Sequence, residues 1–232
     1  MPVAVATWGP LVFVHPDAAA PPLETLLGSV PASVRAGGLD PEGLRFHSRV
    51  EYELQANWKV VIENYLECYH CAVAHPGFSS VVEVDPTRYR LEASSWSSSQ
   101  FCGLRETPRG PGTGTSYQPS GEITEGQFHF LWPNTRLNVF PGRPNLSVGT
   151  AIPIGPERTR GFFDYFFGEG VTEGETRDLL AFDDQVGRED RVLVESVQRG
   201  VRSGVLGSGR LLPQSEQLIA HFQQLVRRAL AD

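Results

Sequence analysis

The hydrophobic period of the chain changes several times, and each change marks an element. Phe46, Ser48, Val50, Tyr52 and Leu54 alternate with His47, Arg49, Glu51 and Glu53. A period of two predicts a half-buried strand with His47 on its outer face. Immediately afterwards the spacing becomes helical. Across residues 57–76, Glu63, Glu67 and His70 fall in one polar row, with Trp58, Ile62, Tyr65 and Tyr69 in an apolar row beside it. Pro76 disfavours the α conformation at His75, so this helix is predicted to end near Ala74. The chain can then turn His75 back beside His70. Upstream, residues 7–15 read as a short apolar strand and 23–27 as a short helix. Downstream, residues 88–101, 127–132, 135–140, 146–154 and 158–167 read as strands, the last four separated by Pro, Gly and Asn turns as in an antiparallel meander. Residues 103–126, rich in Gly, Pro, Ser and Thr, read as a long surface loop or lid. Helices are predicted over 172–198 and 214–230. Short turns between strands, with helices before and after, give an α+β fold: one antiparallel sheet wrapped around a long C-terminal helix.

At 232 residues the chain is long enough for one domain with a sizeable core. Its net charge of −7 argues against nucleic acid or an anionic membrane as partner, and no apolar run is long enough to span a bilayer. Three cysteines make an odd set, which points to a reducing cytoplasm rather than a disulfide framework. Cys68 and Cys71 form a Cys-x-x-Cys, but a zinc knuckle needs a second pair and only Cys102 remains. Both therefore read as buried thiols. His129 and His221 read as structural or surface groups, and His15 as exposed.

Two neutral imidazoles held together are half of a transition-metal site. A third ligand is available further on. Between residues 183 and 200, Val186, Leu193 and Val197 follow helical spacing, and Asp190 shares their row. A carboxylate on a buried stripe costs several kcal/mol unless it is paired or metal-bound. Either a cation holds it or Arg188, Arg191 or Arg199 pairs with it; Asp184 and Glu189 are competing carboxylates nearby. Two histidines and one carboxylate with open positions form the facial triad of ferrous oxygenases. A zinc hydrolase could use the same three ligands, although His-Glu-x-x-His is absent. Phe128, Phe130 and Trp132 share one strand face. They read either as substrate-lining rings, able to hold a flat ring or cage a quaternary ammonium, or as sheet core.

The set Asn57-Trp58-Lys59, Glu63-Asn64, Glu67, His70 and His75 resembles the mononuclear-iron motif of Rieske-type non-haem iron oxygenases, in their alpha subunits. The run from Glu189 through Asp190 to Glu195 is similar to the acidic helix that carries the family's last ligand. The resemblance implies a helix-grip catalytic domain in which His70, His75 and Asp190 hold one Fe(2+). It also implies that Glu67 is the catalytic carboxylate linking iron to an electron donor, with Asn64 and Asn57 supporting the ligands. The implied reaction inserts oxygen from dioxygen into a small organic substrate, by ring dihydroxylation or by hydroxylation and N-demethylation of a quaternary ammonium compound. Glu67 in its Tyr-Leu-Glu-Cys-Tyr-His setting is more similar to members acting on quaternary ammonium compounds. The implied partners are an NAD(P)H-dependent reductase and a [2Fe-2S] Rieske cluster, supplied by a neighbouring subunit of a homotrimer. Paired Cys-x-His and Cys-x-x-His cluster ligands are not found here, because every His near a Cys belongs to the mononuclear segment. Residues 8–14 resemble the end of a Rieske domain, so 1–40 are expected to be a remnant and linker and 41–232 the iron domain. Such a chain is expected to be inactive alone. The other reading is a non-catalytic small-molecule-binding protein that keeps the same cavity.

Overall fold

A computed structural model describes residues 2–106, 115, 117–205 and 207–231. Strands β1 (Ala4–Trp8) and β2 (Leu11–His15) form a separate hairpin. Helices α1 (Leu23–Leu27) and α2 (Val30–Ala36) follow, and then β3 (Arg45–Leu54) enters the main sheet. Next come α3 (Trp58–Tyr65), α4 (Cys71–Ala74) and α5 (Phe78–Val81). The remaining strands are β4 (Arg90–Ala93), β5 (Ser97–Gly103), β6 (Glu125–Leu131), β7 (Thr135–Val139), β8 (Asn145–Thr150), β9 (Ile152–Gly155) and β10 (Arg158–Phe167). Two helices close the chain, α6 (Glu173–Arg202) and α7 (Gln217–Ala231). The main sheet runs β3-β10-β8-β7-β6-β5-β4, with β9 joined to β10, and its pairs are antiparallel.

Strand alternation decides what each face of this sheet meets. Leu137 and Val139 of β7, with Leu131, Leu146 and Val148, pack under Trp8, Leu27, Val30 and Val34. One residue out of phase, Arg136 and Asn138 of β7, and Phe140 just beyond it, turn to the other face. There they meet Phe128, Tyr165 and the long helix α6. The 30 residues of α6 extend roughly 45 Å. Its start is fixed by a capping box: Thr172 Oγ1 accepts the Glu175 backbone N–H, and the Glu175 carboxylate accepts that of Thr172.

Several expectations are corrected in detail. The buried stripe of α6 is Thr176, Leu179, Phe182, Val194 and Gln198, whereas Val197 is exposed. Asp190 still lies in that row, four residues from Val194. In β3, Ser48, Tyr52 and Leu54 are turned inward, but Phe46 and Val50 are exposed, because β3 is an edge strand. Strand 88–101 is two strands, and 146–154 divides at buried Ala151. Of the expected lid, residues 107–114 and 116 lie outside the described residues. Its flanks are tied down by bridges Val82↔Leu104 and Ile123↔Gly142. Among the described residues, no helix is long and apolar enough to cross a membrane.

Candidate metal centre

The helix expected to run to Ala74 breaks after Tyr65, and the break builds the site. Asn57 caps α3, its Oδ1 accepting from the Lys59 backbone at 3.0 Å and its Nδ2 donating to Pro156 O at 2.6 Å. It does not reach the histidines, contrary to the supporting role expected of it. Glu63 leaves the polar row to accept from Gln223 of α7. Beyond Tyr65, the Glu67 carboxylate accepts the backbone N–H groups of Tyr69 and His70. These donors would have bonded to Tyr65 and Leu66 carbonyls in a continuous helix. A side-chain acceptor has replaced a helical one, and the chain turns. Cys68 and Cys71, expected to be thiols, are joined by a disulfide across this turn.

The turn aims both imidazoles at one point. His70 Nε2 lies 3.0 Å from His75 Nε2. Asp190 Oδ1, from α6, lies 3.1 Å from His75 Nε2 and 3.5 Å from His70 Nε2. Ligand atoms about 2.1 Å from a shared ion and at right angles to one another stand about 3 Å apart. The observed triangle has that size. Cys71 Sγ is within 4.8 Å of both histidine donor atoms, but it is engaged with Cys68.

Tautomers follow from the acceptors behind the rings. His70 Nδ1 bonds to Glu67 Oε1, and His75 Nδ1 lies 2.8 Å from Glu189 Oε2. An ionised carboxylate can only accept, so both Nδ1 atoms carry hydrogen, and each neutral ring presents its Nε2 lone pair to the other. Two lone pairs 3.0 Å apart require a cation between them. Asn64 Nδ2 fixes the third donor, bonding Asp190 Oδ1 at 2.7 Å. Without a metal, a proton would serve as the cation. Burial opposes charging His70, but the Asp190 and Glu67 carboxylates outweigh it and push its pKa up to about 9. Burial likewise opposes ionisation of Asp190, and hydrogen bonds from His70, His75 and Asn64 override it and hold the carboxyl below its ordinary range.

The triad opens on a cavity of about 570 Å³ between the sheet and α6. Of the three aromatic residues expected to line it, only Phe128 does. Phe130 and Trp132 pack on Phe222 of α7, and Phe130 is fully buried there. Truncating Phe130 to Ala would cost about 3–5 kcal/mol of stability, so it belongs to the core. The residues that do line the cavity include Tyr52, Tyr65, Phe163, Tyr165, Arg136 and Asp183, none of them picked out from sequence. Burial pushes the Asp183 carboxyl up to about 6 while Tyr165 Oη donates to it at 2.7 Å. Glu189, by sequence a competing carboxylate, orients His75 and accepts from Gln185 at 3.0 Å. His129 is structural: it is buried between Ser99 and Gln127, and burial pushes its pKa down to about 3.

The family described as Ring hydroxylating alpha subunit (catalytic domain) matches residues 41–232. The carnitine monooxygenase oxygenase subunit of Acinetobacter pittii (strain PHEA-2) is 35% identical over 237 residues, covering 97% of this chain and 62% of that subunit. Chloroplastic choline monooxygenase of Atriplex hortensis is 28% identical over 99% of this chain and 51% of its own length. A solved quaternary ammonium Rieske monooxygenase, studied for carnitine oxidation by gut microbiota and inter-subunit electron transfer, superposes with a TM-score of 0.81 at 30% identity. That overlap covers 98% of this chain and 62% of the solved one. The chain therefore spans about three fifths of the length of the carnitine-oxidising relatives. With its sheet, its long helix and its match over residues 41–232, the chain belongs to the ring-hydroxylating alpha-subunit family of Rieske oxygenases, within the catalytic domain.

Proposed function

We infer that His70, His75 and Asp190 hold one ferrous ion and that the chain serves as the oxygenating domain of an enzyme acting on a quaternary ammonium substrate. The observation that carries the reading is the convergence of two Nε2 lone pairs and one carboxylate oxygen within 3.5 Å, each of the three side chains held by a separate polar partner. Ferrous iron at such a triad, supplied with electrons and dioxygen, would put one oxygen atom into a substrate C–H bond and release the other as water. Glu67 and Glu189 keep the two rings in the ligating tautomer and raise their basicity. Asn64 keeps Asp190 turned toward the histidines. Phe128 and the tyrosines of the cavity offer ring faces to a cationic nitrogen, the geometry that favours trimethylammonium groups.

Oxygenation also needs electrons. We assign their source to a [2Fe-2S] Rieske cluster on another subunit of a homotrimer, fed by an NAD(P)H-dependent reductase in the cytoplasm. Glu67, hydrogen-bonded to His70 and 13% exposed at its side chain, would link that donor to the triad. The test has two arms. Iron analysis should give about one ion per wild-type chain and little in His75→Ala or Asp190→Ala; full occupancy in either variant refutes the ligand set. With Rieske donor and reductase added, a trimethylammonium substrate should give an aldehyde and a tertiary amine. A cis-dihydrodiol from an arene, with no reaction on the cation, refutes the substrate class.

A further inference from the structure

Among the described residues, Arg136 is a buried cation with no anion in contact with it. It is 7% exposed, yet among the described residues its guanidinium forms no ion pair. Among the described residues only Nη2 makes hydrogen bonds, to Tyr52 Oη at 2.5 Å and to Thr150 O at 3.4 Å, and Nε is buried without a partner. The guanidinium lies 4.6 Å from the Phe163 ring centre and 5.5 Å from that of Tyr65. All of these side chains line the cavity that contains the triad. Tyr52 reaches Arg136 because Gly161 lies opposite it; a Cβ there would collide with the Tyr52 ring and the Thr150 carbonyl. A guanidinium carries five N–H donors in a planar fork suited to a carboxylate. Burying it unpaired is unfavourable unless an anion arrives.

We propose that Arg136 anchors the carboxylate of a zwitterionic substrate whose quaternary ammonium end lies toward the triad. This deepens the functional reading above and rests on it. It makes the substrate a trimethylammonium carboxylate rather than a carboxylate-free cation such as an amino alcohol. Tyr52 holds the guanidinium through Nη2 and Nε is buried, so the Nη1 hydrogens remain for the ligand. The Phe163 and Tyr65 rings crowd the guanidinium and restrict its turning.

The test measures binding to the full chain, loaded with ferrous iron under argon, of 4-(trimethylammonio)butanoate and of its carboxamide. These differ in the charge of one end group. Wild type should bind the carboxylate about 10–100-fold more tightly, the range of a charge-assisted contact. Arg136→Met should abolish the preference while leaving amide affinity within about threefold, and Arg136→Lys should restore part of it. A purely structural role would weaken both ligands together. If Arg136→Met does not fold, the wild-type pair still decides: equal affinities overturn the anchor and leave the quaternary ammonium reading standing. Failure of both ligands to bind iron-loaded protein overturns that reading and the anchor with it.

Discussion

Asp183 lines the same cavity, on the helix that carries Asp190 and hydrogen-bonded by Tyr165, and its ionisation should be measurable as stability. Burial is the largest influence on its carboxyl, with Asp190 and Asp184 adding repulsion against the Tyr165 hydrogen bond and the charge of Arg136; together they lift the pKa from 3.8 to about 6. The folded state therefore keeps the Asp183 proton over a pH range in which the unfolded chain has lost it. This contribution to stability is fully present below pH 3.8 and is lost as pH rises through about 6. The gap, at about 1.36 kcal/mol for each pH unit, makes ionised Asp183 cost the folded protein at most about 3 kcal/mol. Asp183→Asn removes the charge and keeps an oxygen to accept from Tyr165. The variant should be more stable than wild type by up to about 3 kcal/mol at pH 7.5, and indistinguishable from it near pH 4. For a chain of this length that is a rise in Tm of roughly 6–12 °C. The assay is urea and thermal unfolding of metal-free protein, with chelator, at pH 4, 5, 6 and 7.5. A gain that does not vary with pH, or a loss at pH 7.5, would refute the reasoning.

Other outcomes follow from the same geometry. Glu189→Ala leaves His75 free to turn and should weaken iron binding about 10–100-fold without unfolding the chain; unchanged affinity by competition with a chelating dye would show that Glu189 does not orient the ligand. Because His70 is charged up to about pH 9 in the metal-free site, metal binding at pH 7 should release protons, with His70 supplying about one. Calorimetry in buffers of different ionisation enthalpy counts them, and zero release contradicts the assignment. Thr172→Ala removes one half of the α6 capping box and should lower stability by about 1 kcal/mol, read as a shift in the urea midpoint with unchanged slope.

How much of this was legible in sequence depends on how local each feature is. His70, His75 and Asp190 could be singled out because spacing, Pro76 and the helical row of Asp190 are properties of short segments. The break after Tyr65 could not, since periodicity assumes that backbone donors bond to backbone acceptors, and here the Glu67 side chain takes two of them. Phe130 and Trp132 have the right strand phase for a cavity, but α7 covers that end of β6, and nothing in the strand itself says where a helix 90 residues later will pack. Glu189 sits beside Asp190, about 100° around the helix, so its reach to His75 depends on how α6 crosses α4. Arg136 and Asp183 carry no local signal, because the meaning of a buried charge lies in neighbours that only the fold brings together.

The pairing of β3 with β10 governs when the site can come into being. The partners Glu53 and Arg158 are 105 residues apart, so this edge closes only after a long loop has been ordered, which is the slow kind of contact to form. Helix α3, and behind it both histidines, follows β3 directly, while the helix bearing Asp190 follows β10. The two imidazoles can meet early, within one short segment, but the carboxylate joins them only when the far ends of the meander have come together. An ion added to refolding protein would therefore be held with full affinity by molecules whose sheet is complete, and the appearance of tight binding would time the last step of folding.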